Sequence, residues 1–376
     1  MHKLTIFPLG NADCCRIDLD RGEKVLFDCA ATRDPDDKDD KRCDLHRELR
    51  DDLEAAGRDY YEVVAFTHLD RDHFIRFSEL FYMEHAKKYQ NGDRVKINVM
   101  WVPAAVITEK APDDEEARIL QKEARHRFNE GSGIRVFSRP ERLRKWCEQN
   151  GLDLEDRLEL VTDAGQIAPE FSLEKHGVEF FVHSPFAVRQ DDDTVEDRNV
   201  DGIVMQAHLK IQYTRAKVLL MADADHDVLT DIVTVTKKNG NEARLEWDVA
   251  KLPHHCSYLS LSPYKGEDKT VPVTDVAWLY EDQGQDGAII VSTSKPIPTK
   301  GSDEDNDVQP PHRQAANYYK SVVKDSDGEF VVTMEHPKKS APEPVVIEFD
   351  SSGTTLKLAA ASAPSILVSR PAPRAG

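Results

Sequence analysis

The stretch "VVAFTHLDRDHF", Val63 to Phe74, passes from an apolar segment into four potential metal ligands within six residues: His68-x-Asp70-x-Asp72-His73. With the residues before it, "YYEVVAFTH" has the β-branched and aromatic run of a buried strand. The four polar residues therefore fall in a loop at the end of that strand, where a rigid scaffold commonly presents its chemistry. Taken alone, the pattern fits a metal site or a solvated acidic turn, and the turn is the more common of the two.

Further candidate ligands follow other apolar stretches. "VLFDCAA" carries Asp28, "LLMADAD" ends an apolar run in Asp223, and "KLPHHCS" ends another in His254 and His255. "FFVHSP" contains His183, and "QPPHRQAANYY" puts His312 in a loop before a helical pattern. Each group alone is weak. A metal site draws ligands from several separate elements, and this chain offers such groups in series.

The bulk composition narrows the functional classes. The chain has 376 residues, 39% hydrophobic and 32% charged, with a net charge of -19. It can bury a sizeable core. Its overall field does not attract nucleic acid or anionic lipid, so such a substrate needs local basic groups or bound cations. The start "MHKLTIFPLGNADCC" lacks a signal-peptide pattern. No segment approaches the roughly 18 apolar residues of a membrane helix. The expectation is a cytoplasmic protein with no membrane partner. Six cysteines without CxxC spacing point to reduced thiols.

Strands are predicted at "KLTIFPLG", "CCRIDLD", "GEKVLFDCA", "YYEVVAFTH", "VKINVMWVP", "GVEFFVHSP", "GIVMQAHLKIQY", "AKVLLMADAD", "EFVVTMEH" and "PVVIEFD". "WDVAKLPHHCS", "TDVAWLY" and "DGAIIVSTS" are read as strand-to-loop units. Helices are predicted where Leu45, Leu49 and Leu53 recur, over "HFIRFSELFYMEHAKKY", across the charged region 109–160, and at "HDVLTDIVTVTKKNG" and "RQAANYYKSVV". This order fits an α/β architecture, a sandwich of two sheets with helices outside. The expected division is one domain over 1–350 with a helical insertion around 109–160, then a strand and flexible tail over 351–376.

The order of motifs resembles the metallo-β-lactamase superfamily of hydrolases, and more closely the branch of the ComEC-type competence nuclease domain and related phosphorylcholine esterases. "LGNADCCRID" stands for that branch's Gly-x-Gly-Asp strand, "VLFDCAA" for Asp-Gly-Gly, and "THLDRDH" for Thr-His-Pro-Asp-x-Asp-His. "LLMADAD" stands for Gly-Asp, "PHHCS" for His-His-Gly-Ser, and "PPHRQ" for a late loop histidine. Ala222 and Cys256 replace glycines, which implies shifted loops or altered substrate access without loss of a ligand.

The resemblance implies an αββα sandwich of two mixed β-sheets with outer helices and two divalent metal ions, zinc or manganese. His68 and Asp70 would bind one metal, Asp72 and His73 the second, and Asp223 would bridge them. One of His254 and His255 would be a ligand and the other would face substrate. Asp28 would orient a ligand from behind. His183 could complete the first metal's shell, although a packed histidine is the more ordinary reading. His312 would contact substrate or donate a proton, or simply start its helix. Asp72, His255 and His312 are the candidate catalytic residues.

The implied activity is hydrolysis of a phosphodiester in nucleic acid or a nucleotide by a two-metal activated water, with a bacterial defence system as a setting. Two alternatives stand beside it. One is hydrolysis of another ester, such as a phosphocholine ester or lactone. The other is a metal-binding component active only with protein partners in a complex.

Overall fold

The computed structural model describes residues 1–110, 112–187 and 198–357. In chain order the strands of two large sheets are β1 (His2–Ile6), β2 (Cys15–Asp18), β3 (Lys24–Phe27), β4 (Tyr60–Ala65), β5 (Lys96–Pro103), β6 (Ile134–Phe137), β7 (Val161–Thr162), β8 (Val178–Ser184), β9 (Val204–Ile211), β10 (Thr214–Leu220), β11 (Trp247–Lys251), β12 (Gly284–Ser292) and β13 (Glu329–Val332). A short hairpin, β14 (Pro337–Lys338) and β15 (Ala341–Pro342), precedes β16 (Val345–Asp350) and β17 (Gly353–Lys357).

The first sheet has the order β17-β16-β1-β2-β3-β4-β5-β6-β7 and the second β13-β12-β11-β10-β9-β8. Both are mixed. In the first, β3 to β7 run parallel and the other neighbours antiparallel. In the second, β10 to β13 run parallel, and β8 and β9 complete it antiparallel.

Alternation along the strands divides the apolar residues between faces. Val218 and Leu220 of β10 and Ile289 and Val291 of β12 point between the sheets, where they meet Leu4, Val63, Trp101, Phe180 and Met205. Trp101 is fully buried there and meets Phe27, Phe137 and Phe180 edge-on, at 6.2, 5.5 and 5.3 Å between ring centroids. Burial of such a ring contributes roughly 2–3 kcal/mol.

The outer faces carry helices. On the first sheet lie α1 (Leu45–Ala55), the short α2 (Phe77–Leu80) and α3 (Ala104–Thr108), α4 (Glu115–Glu130) and α5 (Glu141–Gln149). On the second lie α6 (His226–Lys238), α7 (Thr274–Glu281) and α8 (Arg313–Asp325). Four layers result, an αββα sandwich of two mixed sheets with outer helices, as expected. The ends of these helices follow local chemistry. Asp44, Asp114 and Asp225 each accept a main-chain N–H of the first turn, and Gly131 closes α4 at φ 78°.

Three local expectations are corrected. The helix expected over His73–Tyr89 is broken into a 3-10 turn at Arg71–His73, α2, and a second turn at Lys87–Tyr89. Arg76 turns left-handed at φ 61°, and Phe81 leaves the helix to bridge Val95. Phe74, Phe77, Leu80, Phe81 and Met83 are all buried, and a single helical face could not bury that many rings and aliphatics on so short a segment. "TDVAWLY" is helical, burying Val276, Leu279 and Tyr280 at i, i+3 and i+4. Between the expected helices of 109–160 lies a buried strand, β6, and α4 and α5 pack on the first sheet's outer face. The strand expected past residue 350 is β17, at the sheet edge; the expected tail over 358–376 lies outside the described residues. No helix among the described residues is long and apolar enough to cross a membrane.

Candidate metal centre

Parallel strands deliver the candidate residues to one end of the sandwich. β3 and β4 are paired in parallel, and Asp28 and the 66–73 loop follow their last residues. In the other sheet Leu220 of β10 pairs with Lys251 of β11, so Asp223 and the His254–His255 turn emerge side by side. The carboxyl ends of parallel strands are the usual location of a binding crevice in such folds.

Asp72, His73, Asp223 and His255 converge there, each offering a ligand atom within 4.8 Å of all the others. His73 Nδ1 lies 2.8 Å from Asp28 Oδ2, and its Nε2 is 3.2 Å from Asp223 Oδ1 without forming a hydrogen bond. His255 Nδ1 donates to the Thr293 carbonyl at 2.7 Å, which turns its Nε2 toward Asp72 Oδ2 at 3.0 Å and Asp223 Oδ2 at 3.8 Å. Each imidazole thus has its far nitrogen fixed by an acceptor and its Nε2 directed into the carboxylate cluster, the arrangement by which proteins orient metal-bound histidines.

The charges are strongly coupled. Burial opposes a charge on His73, but Asp28 and Asp223 flank it and push its pKa well up. Burial likewise opposes charge on His255, yet Asp223 and Asp72 push it up to about 9. Burial favours neutral carboxyls at Asp72 and Asp223. The imidazole partners outweigh it, holding Asp72 to about 2 and Asp223 well below the usual carboxylate range. Carboxylates stay anionic beside imidazoles whose protons a divalent cation would displace.

His68 and Asp70 lie beside this group and not within its four. Thr67 Oγ1 lies 2.9 Å from Asp28 Oδ2 and 3.1 Å from His68 Nδ1. With that hydroxyl donating to Asp28, His68 Nδ1 is the donor to Thr67, and its buried Nε2 keeps a free lone pair. This Nε2 is 3.6 Å from Asp70 Oδ2. Asp70 is partly exposed, and Arg198 approaches it from the other side, Nη1 to Oδ1 at 3.4 Å, while also donating to the Leu69 carbonyl at 3.0 Å. Burial would raise the Asp70 carboxyl, but the neighbouring His68 and His73 imidazoles hold it below its ordinary value.

The remaining candidates separate. His254 is partly buried, its Nδ1 enclosed without a hydrogen-bond partner, and its main-chain N–H reaches Asp223 Oδ1 at 3.3 Å. His312 caps α8, with its Nδ1 3.3 Å from the Tyr258 N–H and its Nε2 3.2 Å from the Val308 carbonyl. Both its ring nitrogens are therefore engaged within the fold, and burial lowers its pKa to about 4. The structure does not join His183 to the cluster. Its Nε2 bonds the Arg244 carbonyl at 2.9 Å and its ring packs on Phe181, so it is a buried histidine of the sheet.

The backbone is unusual where the resemblance places glycines. Ala222 has φ 44° and Cys256 φ 65°, and Asp28, His254 and His255 are left-handed as well, at 58°, 48° and 52°. A non-glycine residue there costs about 1–2 kcal/mol. Such strain is characteristic of functional loops.

Four contributors carried no role in the sequence reading: Thr67, Thr293, Asp13 and Lys251. Asp13 is 1% exposed and bonds Lys251, itself 4% exposed. Both stand inside quoted motifs, "LGNADCC" and "KLPHHCS", which was the available signal. Thr293 acts through its carbonyl, which no sequence pattern marks.

The donor set fits a divalent cation: clustered carboxylates, imidazoles held by their far nitrogens, and a buried, unpartnered His68 Nε2 beside them. No protein-family model matches the chain, and no curated protein sequence is detectably similar to it. Among solved structures, a new diphosphatase from the PhnP family is similar over 93% of this chain and 98% of its own, at 10% identity and a TM-score of 0.37. Unliganded yeast PDE1 is similar over 88% of this chain and 97% of its own, at 12% identity and a TM-score of 0.44.

Proposed function

We propose that the chain is a metal-dependent hydrolase of phosphodiester bonds, acting on nucleic acid or nucleotides. The observation that carries this reading is the convergence of Asp72, His73, Asp223 and His255 within 4.8 Å, with both imidazoles held by their Nδ1 atoms. These four would hold one divalent cation, and His68 and Asp70, sharing Asp223, would hold a second. Bound there, such cations supply a water that is deprotonated near neutral pH and neutralise charge developing on a phosphoryl oxygen.

The chain's own residues do the rest. Asp28 and the Thr293 carbonyl fix the imidazole orientations, and Thr67 links Asp28 to both His68 and His73. Asp70 supplies a carboxylate in a loop with only two imidazoles, which hardens the set and favours manganese while admitting zinc. The net charge of -19 favours a nucleotide or a single strand over a long duplex, whose backbone such a field repels.

The test is metal content together with hydrolysis of single-stranded DNA, RNA, cyclic dinucleotides and a simple aryl phosphodiester, in manganese or zinc. An Asp72→Ala/His73→Ala variant is run alongside. Metal-loaded protein without phosphodiesterase activity on any of these would sink the reading, and activity equal in the variant would sink the site.

A further inference from the structure

Behind the four clustered residues lies a buried ion pair that none of the roles above uses. Lys251 is the last residue of β11 in the second sheet, and its ammonium donates to Asp13 in the β1–β2 loop of the first. Both are almost entirely buried. The pair therefore crosses from one sheet to the other directly beneath the site.

Each end is tied to a ligand-bearing loop. The Asp13 N–H donates to the Asp72 carbonyl at 3.0 Å, and the Asp13 carbonyl accepts from the Ala30 N–H at 3.3 Å. Its carboxylate stands 3.8 Å from His73 Nδ1. Lys251 lies four residues before His255 and pairs with Leu220, three residues before Asp223. The link thus joins the loops of Asp28, Asp72–His73, Asp223 and His255.

The pair is poorly built for stability alone. Desolvating two charges costs several kcal/mol per ion, and an apolar pair of similar volume is often as stable or more so. Asp13 Oδ1 is also buried without a hydrogen-bond partner, a further cost. What the pair supplies is a strong, directional link between two specific points.

We infer that Asp13 and Lys251 are positioning residues of the metal centre, an ionic post that sets the spacing between the ligand loops of the two sheets. This rests on the metal-centre reading above. Loss of the post leaves the ligands in place but lets the two halves of the set drift, so it weakens cation binding before it affects the fold.

The experiment compares wild type with Asp13→Asn/Lys251→Met, which removes both charges at similar volume. Manganese and zinc dissociation constants are measured by chelator competition, and thermal unfolding is followed without metal. The expected result is a melting temperature close to wild type with metal affinity lower by about tenfold or more, the usual size of an outer partner's effect. Lys251→Arg, which keeps the charge, should bind more tightly than the double variant. If the double variant does not fold, Asp13→Asn/Lys251→Gln, which puts a neutral hydrogen-bonding pair in place of the ion pair, carries the test on the same criterion. Wild-type affinity in the folded variant would overturn the inference alone. No metal uptake by the wild-type chain would overturn the metal centre itself.

Discussion

Asp28 and His73 are joined by a 2.8 Å contact between Oδ2 and Nδ1, from the end of β3 to the turn after β4. Asp28 also accepts the Thr67 N–H at 2.8 Å and the Thr67 hydroxyl. One carboxylate thereby orients His73 directly and His68 through Thr67. Asp28 sits at φ 58°, a conformation asparagine tolerates well, so Asp28→Asn removes the charge without straining the loop. Metal affinity should fall by roughly 10–100-fold with little change in melting temperature. Equal dissociation constants for the two proteins, by chelator competition, would refute the orienting role.

The adjacent histidines should behave differently. His255 Nε2 points at Asp72 and Asp223, whereas the His254 ring is outside that cluster and His254 contributes its main-chain N–H to Asp223. His255→Ala should lose bound metal, seen as a drop in metal content after dialysis. His254→Ala should retain metal and lose turnover. Metal loss in the His254 variant with retention in the His255 variant would reverse the assignment.

The strained loop gives a test of sign. Ala222 is left-handed at φ 44° and 4% exposed. Glycine there relieves about 1–2 kcal/mol of strain and loses about 0.8 kcal/mol of methyl burial. Ala222→Gly should therefore be neutral to slightly stabilising in urea unfolding. Ala124, buried in α4, has no strain to relieve, and Ala124→Gly should cost about 1 kcal/mol or more. If the two substitutions cost the same, the strain argument at the 222 turn is wrong.

The same turn shows what was legible in the sequence. His68, Asp70, Asp72 and His73 are close in the chain, and Asp223 and the histidine pair end apolar runs, so candidate ligands could be read from spacing. The layered architecture followed from the alternation of strands and helices. The orienting partners are different in kind. Lys251 reaches Asp13 across 238 positions and both sheets, and Thr293 takes part only through its backbone. His183 was open as a further ligand, with a packed histidine the more ordinary reading, and its strand turns it to the Arg244 carbonyl. The segment after His73 misled because ring spacing suggested one helical face, while its aromatic residues are buried in a chain that turns at Arg76.

Acid should destabilise the protein in two stages, to both of which residues outside the metal cluster contribute. Burial lowers His183 and His46 from 6.5 to about 4. Their folded pKa values lie below the unfolded ones, so the unfolded chain binds more protons. Stability is then complete above pH 6.5 and is lost as pH falls toward 4, on the order of 3 kcal/mol for the fully buried His183. Glu123 adds a second stage. Burial would raise its carboxyl, but His85 and Arg127, at 2.8 and 2.7 Å, hold it to about 2 against an ordinary 4.5. That contribution is present above pH 4.5 and lost between 4.5 and 2. Urea unfolding at a series of pH values should show both slopes. His183→Asn should make the first shallower without abolishing it, because His46 and His312 titrate in the same window, and Glu123→Gln should likewise reduce the second, which Asp72 shares. A stability profile flat from pH 6.5 to 4 in the wild type would contradict a neutral, buried His183.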